Sequence, residues 1–355
     1  MNLGIYISNL KCFEKYEDAN VIFQLSSTFE HTMSKKLDKY VESKVHYNFD
    51  ITNNPKFITT YTREFEKTQS LPTVNEKCNK MFNYYRPTYN LETGEYNIFP
   101  GRDYLLHYKL LYSYQSNKLN AASKLQNPRE IDLPGIPHHL IWDSLKVPTN
   151  LNKTVILGYV EAFHDLEPDA WGELHYDKNY EFGWWNHVNK PITLLGCNYS
   201  YWGDISSVLI HKLASYGVEN VLYIGKLTSL NGVSAHLSSI VSGNISYLKG
   251  EMIDWNSNNL CSELNLPQVR HYTLPSHMLE TKAWAVKART MFDITDSKIG
   301  YMAKQSINCG INFGYIGLIT RYLFNEENEL DIHKFKSKKR KSFSNIKDLV
   351  KKLPI

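Results

Sequence analysis

The chain has 355 residues, 42% of them hydrophobic and 21% charged, with a formal net charge of +4. That length supplies core enough to fold without disulfide staples, and an aromatic share of 13% with 25 Tyr excludes a disordered or low-complexity chain. No apolar run reaches the roughly 18 residues of a membrane span, and MNLGIYISNLKCFEKYED meets acids too early for a persuasive signal peptide.

The charge is unevenly placed. Residues 334–355 carry nine Lys and Arg against one acid, Asp348, so a tail of +8 follows a body of −4. Within it Lys336, Lys338, Lys339, Arg340 and Lys341 (KSKKRKS) read as a polyanion-binding or nuclear-localisation patch, with a polyanion or transport receptor as partner. A solvated terminus is the plain alternative. Ile346, Leu349, Val350 and Leu353 recur at helical spacing, so a short amphipathic helix is expected over 345–353. Cys12, Cys78, Cys197, Cys261 and Cys309 are scattered with no CxxC pair, which argues against a zinc knuckle or redox motif. A reducing, intracellular and cytoplasmic setting fits them, with a nuclear one open through the basic patch.

In chain order, MNLGIYI and NVIFQLS read as short strands, and Asp103 to Leu125 as a helix with Leu106, Leu110 and Tyr114 on one stripe. Pro134, Pro137 and Pro148 then break the chain. The expected division is an α+β region over 1–150, an α/β domain over 151–330 and a basic tail over 331–355. TVILGYV (154–160) and KPITLLGC (190–197) are strand candidates. Asp204 as N-cap and Gly217 as stop bracket a helix with Ile205, Val208, Leu209, Leu213 and Tyr216 on one face. VENVLYIG (218–225) follows as a near-continuous apolar strand of the kind buried in a parallel sheet. A second helix over Ser297 to Cys309, ended by Gly310, leads into the strand INFGYIGLIT. Strand–helix–strand order predicts a layered α/β/α domain with a mixed, mainly parallel sheet.

The stretch ITLLGCNYSYWGDISSVLIHKLASYGVENVLYIGKLTSL (192–230) resembles the purine and uridine nucleoside phosphorylase superfamily, which includes nucleosidases. DITDSKIGYMAKQSINCGINFGYIGL (293–318) is similar to a later segment of that family, with SGNISYLKG (242–250) and LPSHMLETKAW (274–284) between them. The resemblance spans about Thr154 to Asn325. It implies a nucleoside or nucleotide as small-molecule partner, an N-glycosidic bond cut by phosphate or water, no organic cofactor, and a homo-oligomer.

Cutting that bond requires an anion near the ribose, a proton donor for the departing base, and a positioned phosphate or water. The resemblance assigns the phosphate contacts to Tyr223 and Lys226 around Gly225, where a lone Lys does not reproduce an Arg fork. It puts Asp296 on the family's first acid and Lys298 where a ribose-binding Glu belongs. An ammonium about 4 Å from an oxocarbenium costs roughly 4 kcal/mol at an effective dielectric near 20, where a carboxylate would gain a similar amount. Where the family carries a base-protonating Asp, this chain carries Thr320 and Arg321. Asp296, Lys298 and Arg321 are therefore the catalytic candidates. Gly196, Gly225 and Lys226 are expected to shape the pocket, His277 and Met278 to pack against the base, and Tyr199, with Trp184, Trp185, Tyr201 and Trp202, to stack on it. Glu161 and His164 follow the first strand, where α/β proteins place functional groups. His138 and His139 lack the carboxylate spacing of a metal site, and no metal is expected. Two further readings remain open: a non-catalytic binding module, favoured by Lys298 and Arg321, and a nucleic-acid-associated protein acting through its tail.

Overall fold

The computed structural model describes residues 31–34, 36–42, 56–58, 68–70, 88–90, 95–97, 101–104, 106–108, 110–111, 114–115, 142, 145–176, 182–197, 203–231, 238–324 and 336–353. The strands expected in MNLGIYI and NVIFQLS, and the residues His138, His139, Tyr199, Tyr201 and Trp202, lie outside them.

Toward the N-terminus, helix α1 (Lys36–Glu42) precedes a small sheet of β1 (Lys56–Ile58), β2 (Thr68–Ser70), β3 (Thr88–Asn90) and β4 (Glu95–Asn97), in the order β1-β4-β3-β2. The described positions between 102 and 115 are helical, and Leu110 and Tyr114 of the expected stripe are buried.

The main sheet begins at β5 (Thr154–Gly158), followed by α2 (Val160–His164), β6 (His175–Tyr176), β7 (Phe182–Asn186), β8 (Ile192–Cys197) and α3 (Asp204–Ser215). Then come β9 (Asn220–Ser229), β10 (Ile240–Val241), β11 (Ile245–Leu248), β12 (Glu251–Asp254), β13 (His271–Thr273) and α4 (Lys282–Ala288). The chain continues through β14 (Ile294–Asp296), α5 (Ile299–Cys309), β15 (Asn312–Tyr322) and α6 (Lys336–Val350). β8, β5, β9 and β15 run parallel in the centre, with antiparallel pairs around them. The expected layered α/β/α domain with a mixed, mainly parallel sheet is what the chain builds.

The apolar strand β9 shows why. Val221, Tyr223 and Leu227 join the core beneath α3, α4 and α5, while Leu222 and Ile224 join the core beneath α2 and α6. A strand covered on both faces has no polar alternation to display. The sheet also curls onto itself. β9 pairs β15, β15 pairs β10, and β10 leads through Ser242 and Gly243 into β11, which pairs β13. β13 pairs β14, and β14 returns antiparallel to β9, closing a ring.

Two expected helix ends differ in detail. Gly203, not Asp204, is the N-cap of α3, at φ 65°. The Asp204 carboxylate instead accepts the backbone N–H groups of Arg102 and Asp103, while Asp103 accepts that of Asp204, so it ties α3 to the 101–104 segment. Gly217 and Gly310 take the positive φ that ends α3 and α5 without a Cβ clash. The C-terminal helix starts before and stops short of the expected 345–353; it buries Phe343, Ile346 and Val350, and Leu353 just beyond it is buried as well. Among the described residues, no helix is long and apolar enough to cross a membrane.

Candidate functional site

The turn from β14 into α5 fixes the first group of side chains. Asp296 is 5% exposed, and its Oδ1 accepts the N–H groups of Lys298 at 2.8 Å and Ile299 at 3.0 Å, satisfying the start of α5. The Nε2 of fully buried His271, on β13, lies 3.1 Å from the same oxygen. His271 Nδ1 faces Ser246 Oγ at 2.8 Å and Thr273 Oγ1 at 3.3 Å, and Thr273 Oγ1 accepts the Gly300 N–H. Asp296 Oδ2 is buried without a hydrogen-bond partner among the described residues.

Burial works against the charge of Asp296, but His271, the Lys298 ammonium and the N–H bonds outweigh it and hold the carboxyl below its usual range. Burial lowers the affinity of Lys298 for its proton, with Asp296 acting the other way. The Lys298 Nζ stands 5.8 Å from the centroid of the Tyr223 ring. Burial, and then the Asp296 charge, push the phenols of Tyr223 and Tyr315 well above their ordinary range.

Glycine makes this packing possible at two points. A Cβ on Gly225 would stand 2.3 Å from the Tyr223 hydroxyl, so the ring folds back along its own strand only over a glycine. A Cβ on Gly300 would stand 2.5 Å from Thr273 Oγ1 and 2.8 Å from Ser246 Oγ. Gly300→Ala is therefore expected to cost about 1–3 kcal/mol by lifting α5 off the sheet, read as a lowered urea midpoint.

The second group lies beyond β13. Glu280 has a side chain 1% exposed, and its two oxygens are 2.6 Å from His277 Nδ1 and 2.9 Å from Arg321 Nη1. A register shift around Thr320 in β15 re-aims Arg321 toward this carboxylate. Thr32 donates its hydroxyl to Glu280 and its N–H to the Glu280 carbonyl, while His31 Nε2 meets the His277 carbonyl at 3.1 Å. Burial favours protonation of Glu280, but Arg321 and His277 outweigh it and bring the pKa down to about 2. Burial also drives the His31 pKa down to about 4, with Glu280 opposing.

The sequence-derived candidates thus fall into three places. Asp296 and Lys298 share the β14–α5 turn. Arg321 and His277 meet on Glu280, while Met278 beside them is fully buried in the core. Lys226 sits on the other face of β9, with its Nζ 5.3 Å from the Tyr159 ring, which packs on Phe343 of α6. Half-buried Glu161 and His164 lie on α2 on that same face, where His164 stacks on Trp185 at 4.6 Å. His164 and Trp185 line a cavity of about 580 Å³ with Pro168, Trp171, Glu173 and Leu174. Gly196 is buried in β8 opposite Gly183.

Sequence reasoning missed Glu280, His271 and His31. The His277–Glu280 spacing within the apolar run LPSHMLE was the one available signal for Glu280. His271 and His31 have none, because Asp296, Ser246 and the His277 carbonyl, which they meet, come from distant segments. Among the described residues, no group of three or more His, Cys, Asp or Glu is placed to hold a metal ion.

No family model matches the sequence, and no curated protein matches it. Among solved structures, the chain is similar to the 5'-methylthioadenosine/S-adenosyl homocysteine nucleosidase of Campylobacter jejuni, at 15% identity and a TM-score of 0.45, over 57% of this chain and 100% of that one. The 5'-methylthioadenosine nucleosidase of Arabidopsis thaliana matches at 14% identity and a TM-score of 0.44, over 56% of this chain and 92% of its own. The AMP nucleosidase of Bacteroides thetaiotaomicron matches at 12% identity and a TM-score of 0.40, over 59% and 97%. These are likenesses of fold.

Proposed function

We propose that the protein binds a nucleoside or nucleotide and cleaves its N-glycosidic bond with an atypical set of residues. The observation that carries this reading is the buried, ionised carboxylate of Asp296 at the β14–α5 turn. Heterolysis of an N-glycosidic bond develops positive charge on the sugar, and an anion held in a low-dielectric site stabilises that charge more than one in water. Lys298 beside it opposes this; burial works against its charge while Asp296 supports it.

Water is the proposed nucleophile rather than phosphate. Lys226, the one cation that the sequence offers for phosphate, stacks on Tyr159 beneath α6, on the face of β9 away from Tyr223 and Lys298. Release of free base from a panel of purine and pyrimidine nucleosides and nucleotides, followed by chromatography, tests the reading. Turnover is expected without added phosphate, and Asp296→Asn is expected to lower kcat at least 10²-fold. Release of base only when phosphate is present would replace hydrolysis by phosphorolysis.

The second reading is a binding module without turnover. It is favoured by the way Asp296 Oδ1 is committed to the N–H groups of α5. Thermal stabilisation by a nucleoside with no base released would select it. Binding of polyanions through the first turns of α6 is a separate proposal. Charge reversal at exposed Lys341 should lower salt-dependent affinity for a polyanion if the patch binds one.

A further inference from the structure

N-glycosidic cleavage needs a proton for the departing base, and the chain carries Thr320 and Arg321 where the resemblance expects an acid. Arg321 does not deliver protons at neutral pH. The rim of the ring beyond β13 holds a different set of groups. His277 has a side chain 40% exposed, Arg321 one 20% exposed, and the Glu280 that joins them only 1%. A buried acid thus aims two accessible nitrogen donors. With Glu280 ionised, the 2.6 Å contact requires the proton on His277 Nδ1, which turns Nε2 into the working nitrogen of the ring. The arrangement follows the general logic of an imidazole oriented by a carboxylate. It lies on the loop that leaves β13 directly beside β14, since the Leu274 N–H donates to the Asp296 carbonyl.

We infer that His277 is the proton-transferring residue of this site, with Glu280 as its positioning residue and Arg321 as an adjoining anchor for an anionic or carbonyl group of the ligand. This rests on the N-glycosidic reading above. The protonated imidazole gives its Nε2 proton to a nitrogen of the base as the C1′–N bond breaks and its electron pair leaves with the base. A water oxygen then bonds to C1′ and passes its proton to the same nitrogen, restoring the imidazolium. The sum is nucleoside and water giving free base and sugar, with no other reactant. Among the described residues, the other charged or titratable groups facing the His277–Glu280 pair are Arg321 from β15 and His31 from the 31–34 segment. Thr32 closes the remaining side of the carboxylate.

The test is base release by the full-length protein and three variants. His277→Asn keeps a donor toward Glu280 while removing Nε2, so the fold is spared. It is expected to lower kcat 10²- to 10⁴-fold with KM changed less than about threefold, and imidazole in the buffer is expected to restore part of the loss. Glu280→Gln is expected to lower kcat with KM nearly unchanged, because a neutral amide no longer fixes the proton on Nδ1 and so no longer reserves Nε2. If that variant does not fold, ¹⁵N shifts of His277 in the unaltered protein take its place, with an Nδ1–H tautomer expected. Arg321→Lys is expected to raise KM more than it lowers kcat. A His277→Asn variant with kcat within threefold of normal overturns the inference and leaves the N-glycosidic reading standing. An unchanged kcat in Glu280→Gln, or an Nε2–H tautomer, overturns the role of Glu280. No base released by the unaltered protein overturns the N-glycosidic reading and this inference with it.

Discussion

Replacing Ile346 by alanine is expected to destabilise the protein by about 2–5 kcal/mol, and removing residues 336–355 to abolish its cooperative fold. Ile346 is fully buried and packs with Phe343, Val350 and Leu353 into the core formed by Ile156, Leu194, Leu222, Ile224 and Ile316. Among the described residues, the other helix that covers them on this face is short α2, with the turn carrying Leu260, Cys261 and Leu264 beside it. Without α6 the sheet would present a broad apolar surface to water, of the kind that drives aggregation. Lys351→Ala is the matching control. Lys351 pairs with Glu167 on the surface, where solvent and salt screen the attraction, so little change is expected. Urea denaturation of Ile346→Ala and Lys351→Ala, monitored by tryptophan emission, separates the two outcomes. Equal midpoints would mean that α6 is an appendage and not part of the core. Deleting the basic segment to test polyanion binding would confound charge with fold, which is why single charge reversals are the cleaner probe.

The layered domain was legible because its central strands are runs that are mostly buried on both faces. VENVLYIG and INFGYIGLIT announce β9 and β15 through near-continuous apolar character, and Gly217 and Gly310 mark the ends of α3 and α5. The ring closure was not legible. It depends on β10, β13 and β14, which are two or three residues long and gain their identity from partners distant in sequence. The site divides the same way. Asp296 was singled out by the family resemblance, and its place at the start of α5 has a local mark, an acid ahead of Ser297. Glu280 left only its spacing from His277, and nothing near it reveals that Arg321 and the 31–34 segment converge there. The placement of Lys226 follows from parity: one step along β9 exchanges the face of Tyr223 for that of Ile224, and Lys226 follows Ile224.

The second large effect expected is an acid-driven loss of stability that begins near neutrality and passes through His31. Its ring is fully buried, with Nδ1 accepting the Met33 N–H at 3.1 Å and Nε2 meeting the His277 carbonyl. A second proton on Nδ1 breaks the Met33 bond and charges an enclosed ring, so the pKa falls from 6.5 to about 4. The unfolded chain therefore binds this proton more readily than the folded one, and stability falls as pH drops from about 6.5 to about 4, by about 3 kcal/mol. Glu280 acts lower down. Its pKa falls from 4.5 to about 2, so the stability it contributes is full above pH 4.5 and lost as pH falls toward 2, again by about 3 kcal/mol. The two losses are not additive, because His31, His277 and Arg321 share one carboxylate. Asp204 works the other way: burial and the neighbouring Asp103 raise its pKa to about 6, so stability is gained as pH falls through that value. His31→Gln is expected to keep its stability between pH 6.5 and 4, so its advantage over the unaltered protein should widen as pH falls. Arg321→Met leaves Glu280 buried without its guanidinium and is expected to cost about 3–5 kcal/mol at pH 7, a cost that shrinks once Glu280 takes up a proton. Urea midpoints at four pH values read both effects. Curves for His31→Gln and the unaltered protein that stay parallel from pH 7 to 4 would remove His31 as the acid trigger, while a cost for Arg321→Met that is the same at pH 7 and pH 3 would mean that Glu280 carries no charge in the folded protein.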